Sequence, residues 1–277
     1  MRELRSEQAM YDLILSVAKE DPRIRGVLLN GSRADVSRNS DDLQDYDITY
    51  ITEHVTDFNN NLDWLDVFGE RLIMQTPSTN DPNRLAIFLM HFKDFTRIDL
   101  RLIHPDILPE AIDDAHSIVL LDKDEQFDHL HFHHDQLYLT KRLSETALNH
   151  YVNEFYWVST YVVKGIVRED FFYTQAMYAQ PLLESYITLL KQVVLIQEKK
   201  QALAFGKANQ YLSNYLQNPE RPQSYFNMST LADMKRSLLT MIDDVHNFQL
   251  TLSSANNQPV DHTEYQGALT YYHHFLT

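Results

Sequence analysis

An apolar pattern that changes its period near residue 140 constrains this chain more than any other feature of its 277 residues. Before that point, short runs of Ile, Leu and Val are separated by polar turns, as expected of strands interleaved with short helices. Beyond it, Leu143, Ala147, Tyr151, Phe155, Val158, Val162 and Ile166 recur at spacings of three and four, which is one face of a long helix. The pattern predicts two domains, 1–135 and 136–277, in an α+β fold. A mixed β-sheet flanked by helices comes first, and an α-helical bundle follows. Strands are expected over 26–30, 47–52, 85–92, 97–104 and 117–121, with helices over 3–19, 62–68 and 105–113. In the second half, helices are expected over 143–166, 171–200, 203–216 and 228–252, with Pro181 kinking or breaking the second of these.

Charge narrows the function classes. Up to Asp135 there are 13 basic and 27 acidic residues, a net of −14, whereas the remainder has 11 and 12, a net of −1. A total of −15 argues against a nucleic-acid partner, because affinity for polyphosphate comes mainly from cationic contacts. The acidic half favours Mg²⁺ and small polycations, which it can steer at long range. The absence of Cys excludes thiolate nucleophiles, zinc-thiolate sites and iron–sulfur clusters. With an amino terminus of alternating charge rather than an apolar export signal, a cytoplasmic setting is expected. No apolar run approaches the roughly 20 residues that span a bilayer, so no membrane partner is expected, and a monomer is the expected state.

The stretch richest in chemistry is Leu28-Leu29-Asn30-Gly31-Ser32-Arg33. An apolar strand running into Gly-Ser can present backbone N–H groups and the Ser32 hydroxyl to an anion, and Gly31 allows close backbone approach. Neither G-x-x-x-x-G-K nor G-x-G-x-x-G is present. Twelve residues on, Asp45-Tyr46-Asp47-Ile48 projects two carboxylates to one side of a strand. Such like charges are tolerated when a divalent cation sits between them, and hard oxygen ligands select Mg²⁺; a solvated acidic turn is the alternative. Asp99, inside the apolar alternation Arg97-Ile98-Asp99-Leu100-Arg101-Leu102, has to be paired with an Arg or belong to a metal site.

Gly-Ser, a D-x-D about a dozen residues on and a third Asp on a later strand together resemble the DNA polymerase β-like nucleotidyltransferase superfamily. That resemblance implies three carboxylates holding two Mg²⁺ ions, which orient a nucleoside triphosphate and activate a hydroxyl for attack on the α-phosphorus. The local sequence is closer still to the aminoglycoside 6-adenylyltransferases, also called streptomycin adenylyltransferases. The blocks that carry this likeness are Asn30-Gly31-Ser32-Arg33-Ala34, Gln44-Asp45-Tyr46-Asp47-Ile48, Arg97-Ile98-Asp99-Leu100, Leu121-Asp122-Lys123-Asp124, Asn153-Glu154-Phe155 through Val162, and Gly206-Lys207 with Tyr211-Leu212 and Tyr215-Leu216. Tyr156 stands where the family's aromatic pair has a Trp.

The resemblance implies a nucleotidyltransferase domain over 1–135 and a helical substrate-binding domain over 136–277. It implies metal ligation by Asp45, Asp47 and Asp99, and triphosphate contacts by Gly31, Ser32 and Arg33, with Lys164 and Lys207 reaching phosphates. It gives Glu154 an amine or hydroxyl of the drug, as binder or general base. Glu154 also shares a helix face with Trp157 and Tyr161, and a carboxylate beside aromatic rings suits a cationic group. The activity implied is Mg²⁺-dependent transfer of AMP from ATP to a hydroxyl of an aminoglycoside such as streptomycin, releasing pyrophosphate. Two alternatives stay open: the same chemistry on another small cationic metabolite or a protein, and a nucleotide-binding regulatory module without turnover. His129, His131, His133 and His134, beside Asp128 and Asp135, are dense enough to bind Zn²⁺ or Ni²⁺; the other reading is a solvated connector of pH-sensitive residues.

Overall fold

A computed structural model describes residues 4–35, 41–108, 117–127 and 138–277. The histidine cluster and the expected domain boundary at 135/136 lie outside the described residues. The chain divides into two compact units, Met1–Leu137 and Tyr138–Thr277.

In the first unit, α1 (Glu7–Glu20) starts at Ser6, whose side chain accepts a hydrogen bond from the Ala9 N–H, the arrangement expected of a serine cap. It buries Met10, Ile14 and Ala18 at helical spacing. The strands are β1 (Gly26–Asn30), β2 (Tyr46–Ile51), β3 (Arg71–Gln75), β4 (Leu85–Phe92), β5 (Arg97–Ile103) and β6 (Ser117–Asp122). They form one sheet in the order β3-β4-β5-β2-β1-β6. Only the β2–β5 pair is parallel; the other neighbours are antiparallel. β1 is buried along its whole length and is accordingly a continuous apolar run up to Asn30, whereas β4 alternates buried with half-buried or exposed positions and β5 alternates buried and half-buried ones up to Leu102. The Tyr50 hydroxyl, fully buried, donates to the Ile14 carbonyl at 2.6 Å and ties α1 to the sheet. α2 (Val55–Asn60) and a 3₁₀ turn over Asp63–Phe68 add Phe58, Leu65 and Phe68 to this core. Edge strand β3 exposes Leu72 and Ile73.

In the second unit, α3 (Glu145–Val167) is capped by Ser144 and buries Leu148, Val152, Phe155, Val158 and Val162. Of the expected stripe, Phe155, Val158 and Val162 are buried, whereas Leu143, Ala147, Tyr151 and Ile166 are half-buried, so the buried face is shifted toward Leu148 and Val152. The expected 171–200 helix is α4 (Phe171–Met177), a π-helical turn Tyr178–Leu182 and α5 (Leu183–Gln197). Pro181 lies inside that turn, whose widened hydrogen-bond spacing accommodates a residue with no N–H.

The region 203–216 is not a helix. It holds β8 (Ala202–Ala204), paired antiparallel with β7 (Leu139–Lys141), and then two 3₁₀ turns. Positive φ at Gly206 (74°), Ala208 (51°) and Asn209 (62°) breaks any helix there. α6 (Glu220–Ser224), α7 (Leu231–Ala255) and α8 (Thr263–Leu276) complete the unit. α7 starts later than the expected 228 because Thr230 caps it.

One carboxylate in this bundle, Asp244, is nearly buried. It accepts from the Tyr225 hydroxyl at 2.7 Å, from the Tyr186 hydroxyl at 3.1 Å and from Arg221 through two bonds of 3.1 and 2.5 Å. Among the described residues, no helix is long and apolar enough to cross a membrane.

Candidate active site

The register of the first sheet explains how acids far apart in sequence converge. Asp47 of β2 pairs directly with Asp99 of β5, and with Asn30 of β1 on its other side. Residues directly opposite in neighbouring strands project to the same face, so the two carboxylates stand side by side. Asp45 precedes β2 by one residue and turns its carboxylate toward the same place. One ligand atom from each of Asp45, Asp47 and Asp99 lies within 4.8 Å of the others. Among the described residues no other group of His, Asp and Glu is gathered this way.

Gly31 opens the 3₁₀ turn Gly31–Arg33 at the end of β1. Its φ is +69°, and a Cβ there would stand 2.3 Å from the Asp47 Oδ2. Glycine is therefore needed twice over, for the left-handed backbone and for the carboxylate seated against it. Ser32 is half-buried in the middle of the turn. Arg33 is placed differently from an open anion ligand. Its side chain is only 9% exposed. Nε donates to the Asp45 carbonyl and Nη2 to the Gln44 carbonyl, each at 3.0 Å, while Nη1 reaches Glu7 at 3.2 Å. The guanidinium lies 4.0 Å from the Tyr46 ring centroid. Arg33 thus ties the Gly-Ser turn to the backbone that carries Asp45.

The remaining expected residues belong to the second unit. Glu154 is half-buried on α3, and Trp157 on the same face is exposed. The Trp157 indole N–H donates to the Tyr161 hydroxyl at 2.8 Å. The Lys164 ammonium sits 4.6 Å from the Tyr161 ring centroid and 5.7 Å from that of Tyr173. Lys207 is exposed in the turn after Gly206. Tyr156 faces the core, its hydroxyl donating to Gln249 at 2.8 Å.

The sequence profile of the streptomycin adenylyltransferase family matches residues 4–275. The chain belongs to that family. It is 32% identical over 249 residues to an aminoglycoside 6-adenylyltransferase of Bacillus subtilis strain 168, covering 86% of each protein. A Campylobacter jejuni aminoglycoside 6-adenylyltransferase is 32% identical over 243 residues, 84% of this chain and 83% of that protein. A crystal structure of an aminoglycoside 6-adenyltransferase from Bacillus subtilis is 27% identical and covers 98% of this chain and 99% of its own, with a TM-score of 0.47. As a member of the streptomycin adenylyltransferase family, the chain is a nucleotidyltransferase, an enzyme class that uses a nucleoside triphosphate and a divalent metal.

The donor set of this streptomycin adenylyltransferase family member fits such a metal. Three carboxylates and no nitrogen or sulfur ligand suit a hard cation, and the bare Gly31 leaves the Asp47 carboxylate its seat. Two supporting groups went unassigned in the sequence. Asn30, 2% exposed, donates to the Thr49 hydroxyl at 2.8 Å and accepts from the Ser117 hydroxyl at 2.9 Å, stitching β1 to both neighbours beside the acids. Its signal was an amide ending an otherwise apolar strand. Arg97 donates to both oxygens of Asp99, Nε at 2.7 Å and Nη2 at 2.6 Å, and its Nε lies 3.6 Å from Asp45. That bond to Asp99 holds the Arg97 guanidinium's pKa above its ordinary value.

Proposed function

We propose that this enzyme transfers AMP from ATP to a hydroxyl of an aminoglycoside, with streptomycin the first acceptor to test and Mg²⁺ as the metal. The observation that carries this reading is the trio Asp45, Asp47 and Asp99 gathered within 4.8 Å beside the Gly31–Ser32 turn. The relatives named for aminoglycoside 6-adenylyl transfer support the acceptor class. In the reaction, the acceptor oxygen bonds to the α-phosphorus, the bond from that phosphorus to the bridging oxygen breaks, and pyrophosphate leaves.

Asp45, Asp47 and Asp99 would hold the divalent cations, which supply charge neutralisation at the phosphates and acidity at the attacking hydroxyl. The Gly31–Ser32 turn offers its backbone N–H groups and hydroxyl to the triphosphate. Arg33 holds the Asp45 backbone in place rather than reaching the phosphates. Glu154, with the aromatic rings of Trp157 and Tyr161 on its face, takes a cationic amine or the proton of the acceptor hydroxyl. Lys164 and Lys207 are assigned to phosphate oxygens.

Mass spectrometry of an aminoglycoside panel incubated with enzyme and MgATP tests the proposal, the expected product being the drug plus one adenylate. Asp47→Asn should abolish pyrophosphate release while leaving the fold intact or slightly more stable, since one like charge is removed. Unchanged release by that variant would remove the acid trio from the mechanism.

A further inference from the structure

The acid trio carries its own cation. We infer that Arg97 is a built-in competitor for the metal: its fork holds Asp99 in the metal-free enzyme and has to let go as a divalent ion enters. The inference rests on the metal reading above and assigns that site a loading step.

The geometry supplies the argument. Three carboxylates with ligand atoms within 4.8 Å of one another repel. The guanidinium offsets that repulsion, covering both Asp99 oxygens at 2.7 and 2.6 Å and lying 3.6 Å from an Asp45 oxygen. A divalent ion such as Mg²⁺ would bind oxygens at about 2.0–2.1 Å. On Asp99 it would share those oxygens with the guanidinium, setting like charges against each other in a part-buried place where they are weakly screened.

Arg97 also has somewhere to go. It is the first residue of β5, and its side chain is 36% exposed against 15% for Asp99, so water can replace the carboxylate as its partner. The device has two consequences. The trio stays assembled and charge-compensated without a metal, and entry favours a divalent ion, because a monovalent one gains too little to displace a two-bond fork.

Calorimetric titration of Mn²⁺ into the full-length chain, with wild type, Arg97→Gln and Arg97→Lys compared, tests the inference. Arg97→Gln should bind Mn²⁺ about tenfold more tightly, equal to ~1.4 kcal/mol, and its metal-free form should unfold at a lower temperature than wild type, a gap that Mn²⁺ saturation narrows. Arg97→Lys keeps the charge but loses the fork, and should lie between the two. In wild type, the Nε–H resonance of Arg97, assigned by its absence in Arg97→Lys, should move when Mg²⁺ is added. That measurement and the lysine variant decide the matter even where the glutamine variant does not fold. Equal Mn²⁺ affinity in all three proteins, or an Arg97 resonance unmoved at Mg²⁺ saturation, overturns the competitor role while leaving the metal site standing. Failure of all three to take up Mn²⁺ overturns both.

Discussion

Replacing Gly31 by alanine probes the site through its backbone and leaves every charge in place. At φ +69° an L-residue meets the strain of the left-handed region, which costs about 1–2 kcal/mol. The new methyl would lie 2.3 Å from the Asp47 Oδ2 and 3.0 Å from its Cγ, so the carboxylate has to turn away. Overpacking of that kind adds about 1–3 kcal/mol. A total near 3 kcal/mol lowers the melting temperature by roughly 9 °C for a chain of this size. Because Asp47 leaves its place opposite Asp99, Mn²⁺ affinity should fall by at least about tenfold, or ~1.4 kcal/mol. The assay is a cycle of wild type, Gly31→Ala, Asp47→Ser and the double variant, each followed by thermal unfolding and Mn²⁺ calorimetry. The clash needs the carboxylate, so the double variant should be more stable than additivity predicts, by ~1 kcal/mol or more. Additive losses, or wild-type Mn²⁺ affinity in Gly31→Ala, would refute the idea that this glycine exists to seat Asp47.

Three further outcomes are expected. Glu154→Gln should weaken streptomycin binding by about ten- to hundredfold, the worth of a hydrogen bond to a charged group, with ATP binding nearly unchanged; equal losses in calorimetry would deny Glu154 a role in the acceptor site. Asp244→Ala strips two tyrosine hydroxyls and Arg221 of their shared acceptor and should cost about 3 kcal/mol in denaturant unfolding, a value near zero contradicting the buried-network reading. His246 is stacked on Tyr265 at 3.9 Å, and its pKa is lowered from 6.5 by burial and then by His262. A depressed pKa means that the unfolded chain binds the proton more readily, so this contribution is full above pH 6.5 and is lost as pH falls through the folded value. Thermal unfolding of His246→Gln should therefore lose less stability than wild type between pH 7 and 5, and parallel profiles would remove His246 as a source of that slope.

The first half was the more legible of the two because its signals are local. β1, β4 and β5 announce themselves by apolar runs or alternation, and Gly-Ser and D-x-D mark the ends of the strands that meet at the site. β3 escaped because an edge strand leaves Leu72 and Ile73 in solvent and so has no buried face to set a period. The 203–216 segment reads as helical from its Leu, Ala and Tyr content, yet Ala208 and Asn209 adopt positive φ, which no composition rule foresees for an alanine. α8 has only Ala268 and Tyr272 buried, too few apolar anchors to stand out. At the site, Asp99's choice between an Arg partner and a metal site could be posed from sequence, but Arg97 and Arg101 flank Asp99 on the same face at i−2 and i+2, and sequence does not say which of them forks onto it. Arg33 shows the converse: an arginine next to Gly-Ser invites a phosphate, and nothing in the sequence hints that its guanidinium also bonds the Asp45 and Gln44 carbonyls and Glu7.

The pairing of β2 with β5 has a consequence for how the enzyme comes into being. Two strands running the same way cannot be joined by a tight turn, and here the crossover contains α2, β3 and β4. A slip of one residue between the partners would send Asp99 to the opposite face. Parallel pairs closed across a long crossover are slow to form, so a nascent or half-denatured chain holds Asp45, Asp47 and Asp99 apart. Under the function proposed above, activity is reserved for molecules whose sheet has closed in the correct alignment.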